Sequence, residues 1–378
     1  MGSPPLRTVA RGKRTAAILV SDATRAVPTG DVVPYLMEEL NAGGIAPDDV
    51  TFVVATGVHR PATEEEMRRI LGEEWRGRVR IENHDPYRDD ALVFLGTTTF
   101  GTPVSVNRKV AAADLRIAVG KVEPHEFAGF SGGRKSVLPG ISSETTIRAN
   151  HRPEMILDPK ATIGVYGDNP VSLDMVEAAR LLGVHFCVNV LVTGDGRIAD
   201  VVCGDIVESH GRAVAALVER IAVPVRSCLP IVVTTPGHPL NINLYQSIKC
   251  IIATAPIVED RGVIVAYSRC PEGVGSTDML RPYESARTPE DVVDFLLRNY
   301  EIQMDHTLLL SKILKRGIRV VLVSPGVERT TVELMGLIFA ESLGEGIGIA
   351  SGLTGDGRPI SFFPCPQRCL PVARGKKT

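Results

Sequence analysis

A chain of 378 residues with 44% hydrophobic and 23% charged side chains has the composition of a folded protein, not a disordered one, and its length suits two domains. With 42 basic against 44 acidic residues it carries a formal net charge of -2, so no general field draws it to nucleic acid or to an anionic membrane, and a small molecule is the partner to look for. Residues 1–15 lack the apolar core of a secretory signal, no apolar run spans a bilayer, and seven scattered cysteines form no C-x-x-C pair, which together read as a cytoplasmic protein with reduced thiols.

The first apolar run, residues 15–20 (TAAILV), has the continuous hydrophobicity of a strand covered on both faces, and it stops at Ser21-Asp22-Ala23-Thr24-Arg25. A helix over 31–41 closes at Gly43-Gly44. The next strand, 50–55 (VTFVVA), runs into Thr56-Gly57-Val58-His59-Arg60, and Thr63 with Glu66 three positions on forms a capping box for a helix to residue 71. His59 thus falls in a strand-to-helix turn, where open α/β sheets gather their ligand sites. Strands follow over 80–83 and, as a hairpin across Gly101, over 91–97 and 102–107, while His84 reads as a turn residue beside Asp85-Pro86.

Residues 115–153 hold the densest collection of reactive groups. A strand over 115–122 ends at Glu123-Pro124, since proline cannot donate to a sheet ladder. Past that edge come His125, the turn Gly129-Phe130-Ser131-Gly132-Gly133, then Arg134, Lys135 and finally His151. Glycines let backbone amides wrap a phosphate, a cation adds charge complementarity, and neutral imidazole binds transition metals. Arg134 stands where a P-loop needs glycine, so the turn is not an ordinary P-loop.

The second half repeats the βα alternation. A helix from Asn169-Pro170 to residue 182, a hairpin of 185–192 and 197–203 about Gly194-Asp195-Gly196, and a helix over 205–221 lead to a linker, Val223-Pro224-Val225. Beyond it, strands are expected at 230–234, 262–267, 318–323 and near 347–350, with helices over 289–298, 303–314 and 330–343. The helix after the first of these strands carries Tyr245, Gln246 and Lys249, at spacings that put Tyr245 and Lys249, and Gln246 and Lys249, on shared faces. The fold class is α/β, two domains with mainly parallel sheets flanked by helices and the active site in the cleft between them, divided as 1–223, 224–356 and a tail, 357–378, that can return to the first domain.

SDATR (21–25), TGVHR (56–60), EPHEFAGFSGGRKSVLPG (123–140), NH (150–151) and YQSIK (245–249) resemble the motifs of the nickel-dependent lactate racemase family, in that family's order. The resemblance implies racemisation or epimerisation of a 2-hydroxy acid on a nickel-pincer nucleotide, a pyridinium-3-thioamide-5-thiocarboxylic acid mononucleotide joined covalently to a lysine. It places the covalent link at Lys135, the nickel ligand at His151, the nucleotide phosphate on Ser131, Gly132, Gly133 and Arg134, and the rest of the nucleotide against Asp22 and Thr24. It makes His59 and His125 opposed acid/bases, with Arg25 and Lys249 clamping the substrate carboxylate and Tyr245 and Gln246 orienting it. Cofactor-synthesising enzymes become transient partners, and a homo-oligomer is compatible with the pattern.

Three departures bear on the substrate: Ala26 where the family often has proline, His238 near an aromatic position, and Asn241 for a frequent aspartate. The single tryptophan, Trp75, lies outside the motifs, so the resemblance admits acids larger or more polar than lactate. Two alternatives stay open: a three-histidine metal hydrolase built on His59, His125 and His151, and a non-catalytic nucleotide or nickel-cofactor binding protein.

Overall fold

A computed structural model describes residues 1–25, 27–75, 77–225 and 228–373; Ala26 and residues 374–378 of the tail lie outside the described residues. The chain forms two compact units, one of Met1–Asn150 with Gly167–Arg220, the other of His151–Tyr166 with the chain from Ile221 onward.

In the first unit, β1 (Ala16–Ser21), β2 (Val50–Ala55) and β3 (Arg80–Asn83) lie parallel, followed in sequence by the antiparallel hairpin of β4 (Leu92–Thr97) and β5 (Pro103–Asn107), then β6 (Leu115–Lys121). A two-residue antiparallel pair, β7 (Pro124–His125) with β8 (Gly129–Phe130), precedes β9 (Phe186–Val192) and the antiparallel edge β10 (Ile198–Gly204). The main sheet runs β10-β9-β6-β1-β2-β3. Apolar residues crowd these strands because both faces are covered, and Ile18, Phe52 and Ile117 are fully buried in the resulting core. Helix Thr29–Ala42 adds Val32, Val33, Leu36, Met37 and Leu40 to the buried set at helical spacing. Helix Glu64–Leu71 starts at the expected capping box, with Thr63 and Glu66 bonded reciprocally.

The second unit follows β11 (Ala222–Val225) with β12 (Leu229–Thr235), β13 (Val258–Tyr267), β14 (Arg319–Val323), β15 (Ile338–Ala340) and β16 (Ile360–Pro364), and ends on β17 (Leu370–Ala373). Its five-stranded sheet, β15-β14-β13-β12-β16, is parallel throughout. Four readings change here. Val223-Pro224-Val225 is not a free linker, because β11 pairs with β17. The described part of the tail belongs to the second unit, where β16 extends the sheet alongside β12. The expected helix 330–343 is a short helix, Arg329–Leu334, stopped at Gly336 (φ 70°) and followed by β15. The expected strand near 347–350 lies inside helix Leu343–Thr354, capped by Ser342, whose hydroxyl accepts the Glu345 amide. Among the described residues, no helix is long and apolar enough to cross a membrane.

Candidate functional site

Strands β1, β2 and β6 are adjacent and parallel, so the loops leaving their carboxyl ends open at one edge of the sheet. From β1 comes Asp22, its side chain 6% exposed, and from β2 comes the half-exposed His59; their Oδ2 and Nδ1 atoms lie 2.7 Å apart. Asp22 Oδ1 accepts the Thr24 amide at 2.9 Å and its hydroxyl at 2.5 Å. Burial works to raise the Asp22 carboxyl, but the hydrogen bonds from His59 and Thr24 outweigh it and hold it below the ordinary value. Both Asp22 oxygens are therefore engaged in orienting protein groups. The sequence reading, which set Asp22 and Thr24 against a nucleotide, missed this arrangement; two strand-end loops separated by 37 positions carry no local signal that they meet. Arg25 is exposed beside them, on the 3-10 turn Ala23–Arg25.

β6 delivers the second imidazole. His125 Nδ1 accepts the Ala128 amide at 3.3 Å, which puts the neutral ring's proton on Nε2, and Nε2 lies 3.1 Å from Lys135 Nζ. Phe127 stands edge-on to the His125 ring, 4.8 Å between centroids, with the Lys135 ammonium 5.8 Å from its own ring centre. Glu126 Oε2 is 3.6 Å from His125 Nδ1. The loop carrying His59 is tied to this segment through the main chain, Gly57 donating to Gly140 O at 2.9 Å and Gly140 to Lys135 O at 3.0 Å. Histidine, lysine, histidine and aspartate thus share one end of one sheet.

The glycine-rich turn serves packing. A Cβ on Gly132 (φ 141°) would stand 2.4 Å from the His210 ring, and one on Gly133 2.3 Å from Cys187 Sγ. The Gly133 amide donates to Asn189 Oδ1 at 3.1 Å, and the Ser131 hydroxyl donates to Lys121 O at 2.7 Å. Arg134 is 1% exposed, donating to Phe130 O at 3.0 Å, to Ser172 Oγ at 2.8 Å and to His210 Nδ1 at 2.6 Å. His210 Nε2 in turn donates to Ser131 O at 2.7 Å, so this histidine is a neutral link, driven well below its ordinary value by burial and then by Arg134. The residues expected to form an anion cradle, Ser131, Gly132, Gly133 and Arg134, also brace the segment that carries Lys135. His84, expected as a turn residue, is also internal: 2% exposed, its Nε2 donating to Ser142 O at 2.9 Å.

The second unit holds the remaining residues. Asn243 caps helix Leu244–Thr254 by accepting the Gln246 amide, which sets half-buried Tyr245, Gln246 and Lys249 in its first turns. Tyr245 stacks on His306 at 4.2 Å and donates to Asp305 Oδ1 at 3.5 Å. His238 is exposed and Asn241 half-buried in the loop before that helix. His151, 8% exposed, opens the segment 151–166 that clusters with this unit. Nowhere among the described residues do three or more histidine, cysteine, aspartate or glutamate side chains converge to hold a metal ion, which is what the three-histidine hydrolase requires.

Two mainly parallel α/β units, with imidazoles paired to a carboxylate and to an amine at the strand ends of one and an amide- and amine-bearing helix turn in the other, have the make-up of an α/β enzyme. A family model for the lactate racemase N-terminal domain matches residues 1–164, and one for the lactate racemase C-terminal domain matches residues 225–365. A lactate racemase of Thermoanaerobacterium thermosaccharolyticum is 32% identical over 371 residues, covering 96% of this chain and 86% of the relative; one of Lactiplantibacillus plantarum is 33% identical over 368 residues with the same coverage. The solved lactate racemase apoprotein from T. thermosaccharolyticum superposes with a TM-score of 0.91 over 98% of this chain and 90% of that one, at 31% identity. A solved protein from Thermotoga maritima shares the fold, with a TM-score of 0.71 at 18% identity over 98% of this chain and 96% of that one. The chain belongs to the lactate racemase family and is an isomerase of the racemase class.

Proposed function

We propose that the chain inverts C2 of a 2-hydroxy acid, lactate or a larger or more polar relative, using a nickel-pincer nucleotide joined to Lys135. The observation that carries this reading is the double pairing at one sheet end: His59 on Asp22 at 2.7 Å and His125 on Lys135 at 3.1 Å. The donor set fits the cofactor where an amine and imidazoles are needed. Lys135 offers an acylable amine with the His125 imidazole beside it, and His151 offers the nitrogen ligand that suits nickel. On the turn expected to hold the phosphate, the Gly133 amide and the Arg134 guanidinium already have protein partners, which leaves the other main-chain amides of Ser131-Gly132-Gly133-Arg134 as its candidate donors.

When bound, the nickel-pyridinium group supplies the hydride acceptor and donor for C2. The rest falls to the chain. One of His59 and His125 takes the hydroxyl proton from one face while the other returns a proton on the opposite face, imidazole being the side chain best suited to proton exchange near neutral pH. Asp22 holds the His59 ring through Nδ1, with Nε2 left to meet the substrate. Arg25 and Lys249 grip the carboxylate, the guanidinium through two parallel donors, and Tyr245 and Gln246 add orienting hydrogen bonds. The sole tryptophan is packed against the first unit's core and so leaves the substrate side chain without an indole, which favours acids beyond lactate as substrates.

Intact-protein mass spectrometry of the chain made together with cofactor-synthesising enzymes tests the reading. A mass increment on Lys135, together with racemisation of at least one 2-hydroxy acid, is expected. An unmodified Lys135 in such a preparation overturns it.

A further inference from the structure

Within the second unit, a buried cation fastens the segment that carries His151 to a neighbouring helix. Lys312, on helix Asp305–Leu314, donates from Nζ to the carbonyl oxygens of Ile156 at 3.2 Å, Asp158 at 2.7 Å and Ala161 at 3.1 Å. An ammonium has three donors, and these three main-chain acceptors match them. Ile156 ends helix Pro153–Ile156, whose last carbonyls have no partner within the helix and whose pole favours positive charge. The arrangement is costly, since burial pushes the Lys312 ammonium down to about 8, and a buried cation is kept where it fixes something. Only Arg152 separates His151 from that short helix, so a shift of the helix reaches the imidazole directly.

The other end of the same Asp305–Leu314 helix braces Tyr245, through the Asp305 carboxylate and the stacked His306 ring. Ten helical residues make a rod about 15 Å long, so one element sets both the His151 segment and the turn that holds Tyr245. We propose that Lys312 is a positioning residue for His151, locking the candidate nickel ligand to the helix that braces Tyr245. The proposal rests on the cofactor reading above for the role of His151, while the Lys312 anchorage itself does not.

Two measurements on Lys312→Met test it. In the apoprotein, hydrogen exchange of the amides in residues 153–162 is expected to quicken at least tenfold while the strands of both sheets keep their protection. In protein loaded by cofactor-synthesising enzymes, the Lys135 adduct is expected to persist while nickel is lost to a chelator about tenfold faster, the scale seen when a group supporting a metal ligand is removed. Lys312→Arg is expected to restore most of both. If Lys312→Met does not fold, Lys312→Gln, which keeps an amide donor, carries the same comparison. A folded variant with wild-type exchange in 153–162 and wild-type nickel retention overturns the proposal. A wild-type preparation with no adduct on Lys135 counts against the cofactor reading instead, and the exchange measurement then still decides whether Lys312 holds the segment.

Discussion

Asp22 and His59 illustrate how little separates a structural contact from a chemical one. The carboxylate bonds Nδ1, leaving Nε2 as the nitrogen presented outward, and it stabilises the imidazolium formed when that nitrogen takes a proton. Asp22→Asn keeps the shape but loses the charge, so kcat is expected to fall about 100-fold, within the range of general acid–base catalysis, with the Lys135 adduct unchanged by mass. His59→Ala is expected to keep the adduct and lose turnover, whereas Lys135→Ala loses the adduct itself; normal racemisation by His59→Ala would end the two-base scheme. The acid behaviour of Asp22 has a definite sign. Its folded carboxyl lies below the unfolded value of about 3.9, so its contribution to stability is complete above about pH 4 and disappears as pH falls through the lower folded value.

At the scale of the element, the glycine-rich turn and the helix bearing His210 behave as one piece. Arg134 reaches main chain, a serine and His210 from a buried position, so His210→Leu strips a charged donor of its acceptor and is expected to cost about 3 kcal/mol in chemical denaturation. Burial is the main force holding His84, His185 and His210 below the ordinary histidine value, His185 at about 4. These rings stay neutral in the fold while the unfolded chain protonates below about 6.5, so stability is expected to decline from pH 6.5 toward 4 and to be insensitive to them above 6.5. Urea midpoints measured at half-unit steps across that range check the direction. The motif SGGRK was legible as a special turn, but its residue types could not say whether the glycines admit a ligand or admit Cys187 and His210, because that depends on residues more than 50 positions away. The same ambiguity misled the reading of 343–354. Gly344, Gly346, Gly348 and Gly352 argue against a helix locally, yet a Cβ on Gly346 would stand 3.1 Å from Val265 and Val323, so glycine there lets the helix settle on the sheet. Gly346→Val is expected to destabilise the protein by about 1–3 kcal/mol, the usual cost of overpacking, read as a lowered thermal midpoint.

Over the whole molecule, most strands were legible because parallel, doubly covered strands need continuous apolar runs, as at 50–55 and 115–121, and their ends advertised His59 and His125. The membership of 151–166 was not legible. Nothing in its composition shows that its carbonyls are claimed by Lys312, since a main-chain acceptor leaves no side-chain signature. The chain crosses between the units at three places, after Asn150, Tyr166 and Arg220, so the second unit is assembled from two separate stretches. A fragment beginning at Ile221 is therefore expected to melt at a lower temperature than the same fold within the full chain, and to be stabilised when a 151–166 peptide is supplied in trans.

That threading also imposes an order on birth. On the ribosome, residues 151–166 emerge while Lys312 is still roughly 150 codons away, a delay on the order of ten seconds at ordinary rates of synthesis. The nascent chain must complete the first unit around a stretch that cannot yet find its partner, and the histidine expected to bind nickel is among the last of the site residues to be seated.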